Sequence, residues 1–426
     1  MNRGLKLILT AFLITLSGSL WAQVLSGQQG VRTPIRNPKN VDIDAINRKS
    51  KVKIQTGADQ VDLYLPYLKG KRIGMVVNQT SIIGNQISVD YLHSRSVNIV
   101  KVFGPEHGFR GNASNGAKVE NTVDEKSGIP VISLYGSHNK RTKEDLAGID
   151  LMIFDIQDVG ARFYTYISTL HYVMEACAEN NLELMILDRP NPNGYYVDGP
   201  VMEDKFKSFI GMHPIPIVHG MTIAEYAQMI NGEGWLANKV KCKLKIIKVA
   251  NYTHATHYTL PVNPSPNINS QQAVLLYPSL CLFEGTVISV GRGTYFPFQV
   301  LGNPDLGAQY KFSFKPVSIP GMSETPLHKD KVSYGIDLRK YNTKQFFTTG
   351  KLNLKWLIEL YKAYPYKGKF FDYSLDKQMG NIDKLAGTDA LKQQIIAGKT
   401  EEEIRMSWEP ALSRYKIMRK KYLLYQ

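Results

Sequence analysis

The sequence predicts an α/β fold, with a Rossmann-like, doubly wound, mostly parallel sheet followed by a smaller α+β domain at the C-terminus. The first observation is a series of short aliphatic runs bounded by turn residues, which are typical of buried strands. These runs cover residues 72–77, 97–103, 130–134, 151–156 and 182–187. The second observation is that helical patterns alternate with the strands. Such alternation is typical of helices that cover a parallel sheet.

Three helices are predicted from spacing and capping. Between the last two strands, apolar residues recur at helical spacing; they are Tyr166, Leu170, Val173, Met174 and Cys177. Thr222 followed by Glu225 forms a capping-box pattern, which predicts a second helix from that point. A third helix is predicted over residues 400–415, where three apolar residues are spaced four apart.

The length of 426 residues predicts more than one domain. We assign residues 54–262 to the Rossmann-like domain and residues 263–426 to the smaller domain. A stretch rich in Pro, Asn and Ser over residues 261–270 fits either a linker or an ordered loop over the cleft. Residues 23–53 are polar and are predicted to form an irregular lead-in.

The first 22 residues have the layout of a secretory signal peptide. Arg3 and Lys6 precede an apolar run over residues 7–16, and small residues follow up to Ala22. The apolar run is too short to span a bilayer as a helix. No cysteine lies near the expected cleavage point, so a lipid anchor is not expected. The sequence therefore predicts an exported protein, periplasmic or extracellular, with no stable membrane anchor after cleavage.

Charge and cysteine content exclude several classes of protein. The formal net charge is +15, which favours either an anionic polymer as partner or simply a well-solvated surface. Lys and Arg are scattered rather than interleaved with aromatic residues, so nucleic acid is not expected as a partner. Three isolated cysteines, Cys177, Cys242 and Cys281, predict neither a disulfide framework nor a zinc site.

Acidic and polar residues follow three of the predicted strands. Because loops at the carboxyl ends of parallel strands converge on one crevice, these residues predict an active site there. In GPEHGFRG, glycines on both sides of Glu106 and His107 allow a sharp turn that presents a carboxylate as a general acid. The alternative for Glu106 is an acidic helix cap. His107 would orient Glu106 or contact substrate, and Arg110 can fork onto a carboxylate.

Two more acids follow the fourth strand. Asp155 and Asp158 are suited to binding sugar hydroxyls or to supporting an oxocarbenium-like transition state, and helix capping is the alternative. Arg162 and Tyr164 would add a cation and an aromatic face. Three further candidates for substrate binding follow other strands, and they are Asn78, Asp188 and Asn191.

Several long motifs occur in an order that resembles the NamZ-type exo-β-N-acetylmuramidases. They are GPEHGFRG from Gly104, FDIQDVGARFYTYISTL from Phe154, LDRPNPNG from Leu187, EGT from Glu284 and GRGT from Gly291. The resemblance implies an exported glycosidase that removes terminal N-acetylmuramic acid from the non-reducing end of peptidoglycan fragments. It also implies that Glu106 is the catalytic acid.

The implied sugar carries a lactyl carboxylate, for which an arginine is the expected partner. Arg292, between two glycines, is the first candidate and Arg162 the second. Glu284 would bind sugar hydroxyls or act as a second carboxylate, with a structural salt bridge as the alternative. The order of catalytic events stays open among retaining, inverting and substrate-assisted routes, because carboxyl separation decides between the first two.

No cofactor or metal is predicted. The segment after the first strand lacks the glycine pattern that binds dinucleotides, and no serine nucleophile elbow occurs. His254 and His257 have no clear third ligand. The alternatives to a glycosidase are a non-catalytic protein that binds muramyl sugars and a cell-wall amidase or esterase. The oligomeric state is not predicted.

Overall fold

The computed structural model describes residues 52–105, 108–110, 121–134, 140, 142–307, 309–373 and 381–426. Residues 52–426 form one compact unit. Within the described ranges, no helix combines the length and the apolar character that a membrane crossing requires.

A seven-stranded sheet forms the centre of the protein. Its strands are β1 (Ile73–Val77), β4 (Ile99–Gly104), β5 (Thr122–Val123), β6 (Pro130–Ser133), β7 (Leu151–Asp155), β8 (Glu183–Leu187) and β9 (Leu244–Ile247). The order across the sheet is β5-β6-β4-β1-β7-β8-β9, and only the β5–β6 pair is antiparallel. A short hairpin of β2 (Ile82–Ile83) and β3 (Gln86–Ile87) follows β1. The five predicted strands are confirmed within two residues at each end.

Helices cover both faces of this sheet. The helices of this half are α1 (Val61–Leu68), α2 (Ser88–Ser94), α3 (Lys143–Leu146), α4 (Tyr166–Glu179) and α5 (Ile223–Gly232). The predicted capping box is confirmed, because the Thr222 side chain accepts from the Glu225 amide and the Glu225 side chain accepts from the Thr222 amide. The periodicity that predicted α4 is also confirmed, since its apolar stripe is buried.

Alternate side chains of each strand enter two separate cores. Met75, Ile153 and Met185 pack with α1 and α2, whereas Val76 and Phe154 pack with α4 and α5 on the other face. Strands that are buried on both faces read as continuous apolar runs, as they do here. The three cysteines are buried free thiols in the core on the α4 and α5 side of the sheet.

The described residues of the C-terminal part contain a smaller sheet and six α-helices. The strands are β10 (Val300–Asn303), β11 (Phe312–Phe314) and β12 (Ser333–Asp337), paired antiparallel in the order β10-β12-β11. The helices are α6 (Gln271–Leu280), α7 (Lys344–Thr349), α8 (Lys355–Ala363), α9 (Ile382–Ala386), α10 (Ala390–Ile396) and α11 (Glu401–Arg419). The predicted late helix is confirmed and begins with a capping box at Thr400. These observations confirm the predicted fold class, while the domain boundary at residue 262 stays a prediction.

Gly285 explains one of the sequence motifs by packing. A Cβ atom at this position would lie 2.4 Å from the Ile382 amide nitrogen and 2.6 Å from the Ile382 Cα, at the start of α9. Backbone atoms cannot yield as a flexible side chain can. The glycine of the EGT motif therefore allows the turn over Cys281–Gly285 to pack directly against α9.

Replacing Gly285 with alanine is expected to lower the free energy of unfolding by about 1–3 kcal/mol, because the added methyl group overpacks the contact with α9. Gly368→Ala is the matched control, since Gly368 is exposed and its added methyl group meets no atom within 4 Å. Urea unfolding of both variants measures the difference. Equal stability of the two variants would contradict this packing role.

Candidate functional site

The strand order reverses at β1, which lies between β4 and β7. Successive strands build outward from β1 on one side through β4 and β6, and on the other side through β7, β8 and β9. In open α/β sheets, ligands bind outside the carboxyl ends of the strands at this reversal. The crevice of this protein is therefore expected above the ends of β1, β4 and β7.

The loops after β1 and β7 are locked together by polar contacts. Asn78 Oδ1 accepts from the Thr80 amide at 2.9 Å and from the Thr80 hydroxyl. The Thr80 hydroxyl oxygen in turn accepts from the Gln157 amide at 3.1 Å. The Ser81 hydroxyl donates to the carbonyl of Asp155. The two loops are thus held together, and we call the segments after β1 and β7 the lip.

Asp155 forms a buried ion pair with Arg189. Arg189 Nε lies 2.7 Å from Asp155 Oδ1, and both side chains are almost completely buried. Although burial disfavours the charged guanidinium, the Asp155 carboxylate holds the pKa of Arg189 above its ordinary value. Arg189 Nη2 also donates to the Ile82 carbonyl at 2.9 Å. Arg189 therefore connects the ends of β8 and β7 with the segment after β1.

Asp158 is fixed by a glycine amide and faces a buried histidine. Its Oδ2 accepts from the Gly160 amide at 2.7 Å and lies 3.4 Å from His219 Nε2. That second contact is within ion-pair distance but lacks hydrogen-bond geometry. His219 Nδ1 accepts from the Met221 amide, so the proton of the neutral ring is assigned to Nε2, facing Asp158. Helix capping does not explain Asp158, because α4 begins later, at Tyr166.

Several buried polar atoms of the segments after β1 and β7, and of the C-terminal part, have no hydrogen-bond partner within the described chain. Unpaired atoms of this kind are uncommon in folded proteins, and each requires an explanation such as a bound molecule. Among the residues that the structure describes, the buried side-chain atoms without a hydrogen-bond partner include Asn78 Nδ2, Gln79 Oε1, Asp155 Oδ2, Asp158 Oδ1, Asn267 Oδ1 and Arg292 Nη1. Donors and acceptors are both present, as recognition of sugar hydroxyls requires.

A series of aromatic contacts connects the Arg292–Glu284 pair to Tyr164. Arg292 Nε donates to Glu284 Oε1, and the guanidinium lies 5.2 Å from the centre of the Phe298 ring. Tyr277 lies edge-on to Phe298 at 5.0 Å and to Tyr164 at 5.9 Å. The salt bridge that was the alternative for Glu284 is present, and Arg292 Nη1 stays without a partner among the described residues.

The two glycines beside Arg292 serve the protein's own packing. Gly291 and Gly293 have φ values of 83° and 79°. A Cβ atom on Gly291 would meet Val300, and one on Gly293 would lie 2.5 Å from the Val317 carbonyl oxygen. At both glycines, the place of a Cβ atom is therefore taken by other residues of the chain.

The segment over residues 261–270 is an ordered loop beside the lip. Gln79 Nε2 donates to the Pro264 carbonyl at 3.0 Å, and the Tyr164 hydroxyl donates to the same carbonyl at 2.8 Å. Asn267 from this segment is buried, with Nδ2 donating to the Met322 carbonyl. The linker alternative is therefore wrong. Tyr164 acts here as a support for the loop, with its ring buried.

Glu106 and His107 lie outside the described residues. Pro105, which precedes them, directly follows the last residue of β4. Arg110 is described, and its guanidinium forks onto Asp124, with distances of 2.7 Å and 2.8 Å to the two oxygens. It also contacts Asp90 at 3.2 Å. The expected fork is present, but the protein's own carboxylates already occupy it.

Arg162 is fully buried and is held by backbone carbonyls. Its guanidinium donates to the carbonyls of Pro200, Ile215 and Leu385 at distances of 2.8–3.1 Å. Leu385 belongs to α9, so Arg162 ties the Rossmann-like part to the C-terminal part. The prediction of Arg162 as a sugar ligand is wrong, because the side chain has no exposed surface and its Nη atoms are engaged.

Asp188 and Asn191 also hold the fold rather than face the crevice. Asp188 accepts from the Ala224 amide at the start of α5 and from the Tyr425 hydroxyl at 2.6 Å. The Asn191 side chain donates to the Met221 carbonyl and accepts from the Asn193 amide. These contacts leave neither side chain available for substrate in this structure. The motif LDRPNPNG thus organises the loop behind the site.

Sequence reasoning missed His219 and Asn267 as site residues and did not select Arg189 or Gln79. His219 is a single polar residue within the apolar stretch 215–221, which carries no motif. Arg189 is the second residue after β8, and this position at the carboxyl end of a strand was its available signal. Among the described residues, no group of three or more His, Cys, Asp or Glu side chains could hold a metal ion.

Comparison with known proteins identifies the family. Residues 73–272 match the family described as "Exo-beta-N-acetylmuramidase NamZ, N-terminal", and residues 275–425 match its C-terminal counterpart. This chain belongs to the NamZ family. A peptidoglycan beta-N-acetylmuramidase NamZ from Bacillus subtilis is 38% identical over 392 residues, which cover 88% of this chain and 92% of that protein.

Two crystal structures of DUF1343 family proteins from Bacteroides fragilis are similar to this NamZ-family chain. One has 43% identity and a TM-score of 0.80, with 88% of this chain and 99% of that chain covered. The other has 29% identity and a TM-score of 0.74, with 88% and 100% covered. The likeness extends through both parts of the fold.

The buried Asp188 predicts a pH-dependent stability. Burial raises the pKa of Asp188 to about 6, against the lowering effect of its hydrogen bonds from Tyr425 and Ala224. Because the folded-state pKa lies above the unfolded value, the stabilising contribution is complete below pH 4 and is lost as the pH rises through 6. The loss is expected to be about 3 kcal/mol.

Asp188→Asn is expected to abolish this part of the pH dependence. Unfolding free energies of both proteins between pH 4 and pH 8 provide the measurement, and their difference should change across pH 4–6. A constant difference over that range would show that the side chain stays ionised in the folded protein.

Arg162→Met is expected to lower the free energy of unfolding by about 3 kcal/mol or more, because three buried carbonyls lose charge-assisted hydrogen bonds. Arg414→Met is the matched control, since Arg414 is exposed on α11. Denaturant unfolding checks the stability, and KM for a muramide checks the sugar role. Unchanged stability with a raised KM would restore Arg162 as a sugar ligand.

Proposed function

We propose that this protein is an exo-acting glycosidase that releases terminal β-linked N-acetylmuramic acid from the non-reducing end of peptidoglycan fragments. The observation that carries the proposal is the set of unpartnered buried polar atoms above the ends of β1 and β7. Membership of the NamZ family and the activity named for the Bacillus subtilis relative support the choice of sugar.

Glu106 is proposed as the general acid that protonates the glycosidic oxygen as the bond to the sugar breaks. It follows β4 by two residues in the chain, and β4 is the neighbour of β1 in the sheet. A carboxylic acid at the edge of a partly dry cleft is suited to this role, because burial favours its protonated form. His107 is proposed to orient it.

Asp158 is proposed as the second carboxylate at the sugar. The Gly160 amide and the facing His219 fix its Oδ2, while its Oδ1 has no partner among the described residues. This arrangement leaves one oxygen free for a water molecule, a hydroxyl or the acetamido group of the substrate. Asp155 is proposed to orient the sugar through Oδ2, because Arg189 compensates its charge.

Arg292 is proposed to bind the lactyl carboxylate of the sugar. Glu284 holds Nε, and Nη1 has no partner among the described residues, so the guanidinium is oriented and still has a donor available. Asn78 and Asn267 are proposed to bind sugar hydroxyls or the acetamido group through their unpaired Nδ2 and Oδ1 atoms. A guanidinium recognises a carboxylate with charge-assisted hydrogen bonds.

Export to the periplasm or the cell exterior is proposed from the first 22 residues, which have the charge and apolar pattern of a signal peptide. This location would place the enzyme with peptidoglycan. It fits a role in peptidoglycan degradation and cell-wall recycling.

Glu106→Gln is expected to lower kcat by about 10²–10⁴-fold, because the amide cannot donate the proton to the leaving oxygen. Release of the chromophore from a chromogenic β-N-acetylmuramide measures the rate. Glu125→Gln is the matched control, since this exposed acid lies in the same β4–β6 connection and should retain full activity.

Testing Asp158→Asn in the same assay distinguishes the role of Asp158 from that of Glu106. Loss of activity in this variant with full activity in Glu106→Gln would assign the essential acid to the β7 loop instead. If the wild-type protein releases no chromophore but calorimetry still detects sugar binding, the protein is a non-catalytic muramyl-sugar binding protein and the glycosidase proposal is wrong.

A further inference from the structure

A row of lysines lies along the free edge of the seven-stranded sheet. The sequence KCKLK over residues 241–245 places lysine at every second position, and side chains at that spacing share one face of an extended chain. Lys241 and Lys243 are exposed, whereas Cys242 between them is buried. Strand β9 begins at Leu244 and is the last strand of the sheet.

Tyr67 from α1 brings a further lysine to this row. Lys71 Nζ lies 4.1 Å from the centre of the Tyr67 ring, and Lys245 Nζ lies 4.2 Å from it. Lys71 Nζ also donates to the Tyr67 carbonyl at 2.6 Å. An aromatic ring attracts ammonium groups through its quadrupole without neutralising their charge. Two cations are thus held close together beside one ring.

Acidic side chains do not balance this surface. Glu183 accepts from the Tyr67 hydroxyl and lies 3.5 Å from Lys243 Nζ. Lys71, Lys241 and Lys245 form no ion pair with any residue of the described chain. We call Lys71, Lys241, Lys243 and Lys245 the lysine face. It carries four ammonium groups, with the Glu183 carboxylate beside Lys243 and the Asp150 carboxylate near Lys71. Asp150 is already paired with Arg72.

The lysine face is more than protection of an edge strand. Lysines on edge strands prevent sheets from pairing with other chains, and this accounts for Lys243 and Lys245. It does not account for Lys71, which comes from the segment between α1 and β1 and is positioned by a ring and a carbonyl. Ammonium groups that lie close together repel one another, and a partner with several negative charges would relieve this repulsion.

We propose that the lysine face binds carboxylate-bearing strands of peptidoglycan at a place separate from the crevice. The choice of polymer rests on the proposed function, and the charge complementarity rests on the surface itself. Lys71 precedes β1 and Lys241 precedes β9, so the face lies towards the amino ends of the strands. The crevice lies at the carboxyl ends. The face is therefore a tether, which raises the effective concentration of chain ends near the active site.

Co-sedimentation of the mature protein with purified peptidoglycan sacculi tests this proposal. The triple variant Lys241→Gln, Lys243→Gln, Lys245→Gln is expected to bind about tenfold more weakly at low ionic strength, since three exposed ion pairs are lost. The control is Lys329→Gln, Lys331→Gln, Lys340→Gln, which removes the same charge from exposed lysines elsewhere and should bind within about twofold of wild type. Wild-type binding should weaken as salt is raised.

Hydrolysis of the chromogenic β-N-acetylmuramide separates this proposal from the proposed function. Both triple variants should cleave the small substrate at the wild-type rate, because the lysine face does not contribute to the crevice. Loss of sacculus binding in both triple variants alike would overturn the lysine face as a specific site, and so would retention in both. Binding to anionic phospholipid vesicles in place of sacculi would assign the face to a membrane and overturn the choice of polymer.

Discussion

The buried ion pair between Arg189 and Asp155 sets the geometry on which the site depends. Arg189 joins the end of β8 to the end of β7 and, through the Ile82 carbonyl, to the segment after β1. Removing one partner of such a pair leaves an uncompensated buried charge, which typically costs several kcal/mol. Three loops are therefore held in one arrangement by a single guanidinium. In this arrangement Arg189 contacts only Oδ1 of Asp155, and Oδ2 has no hydrogen-bond partner among the described residues.

The C-terminal part contacts the segments that support the carboxyl ends of the strands. Arg162 reaches α9, the Tyr415 hydroxyl donates to the His219 carbonyl, and the Tyr425 hydroxyl donates to Asp188. These contacts surround the segment that carries His219, next to Asp158. The last helix and the chain end are thus part of the support for the site. A loop that carries catalytic groups is most precise when it is fixed by such contacts.

The unpaired polar atoms after β1 and β7 lower the stability of the fold, and their proposed role in sugar binding explains why they are unpaired. Each buried donor or acceptor without a partner typically costs about 1–3 kcal/mol. The rigid loops prevent these atoms from turning towards partners within the protein. In the proposed complex, the hydroxyls, acetamido group and carboxylate of the sugar supply partners for these atoms. The same rigidity explains why Arg110, Asp188 and Asn191, which are fully engaged, belong to the scaffold.

The sequence by itself determined the alternation of strands and helices, the capping box at Thr222 and the edge of the sheet where the acids collect. These features depend on local periodicity and on short-range hydrogen bonds, so they can be read residue by residue. It could not determine which polar side chains are consumed by the protein. Arg162 and Arg292 have similar local contexts. Only the tertiary structure places the first on three carbonyls and leaves the second with an unpaired nitrogen. Those partners are distant in the chain, and no local pattern records them.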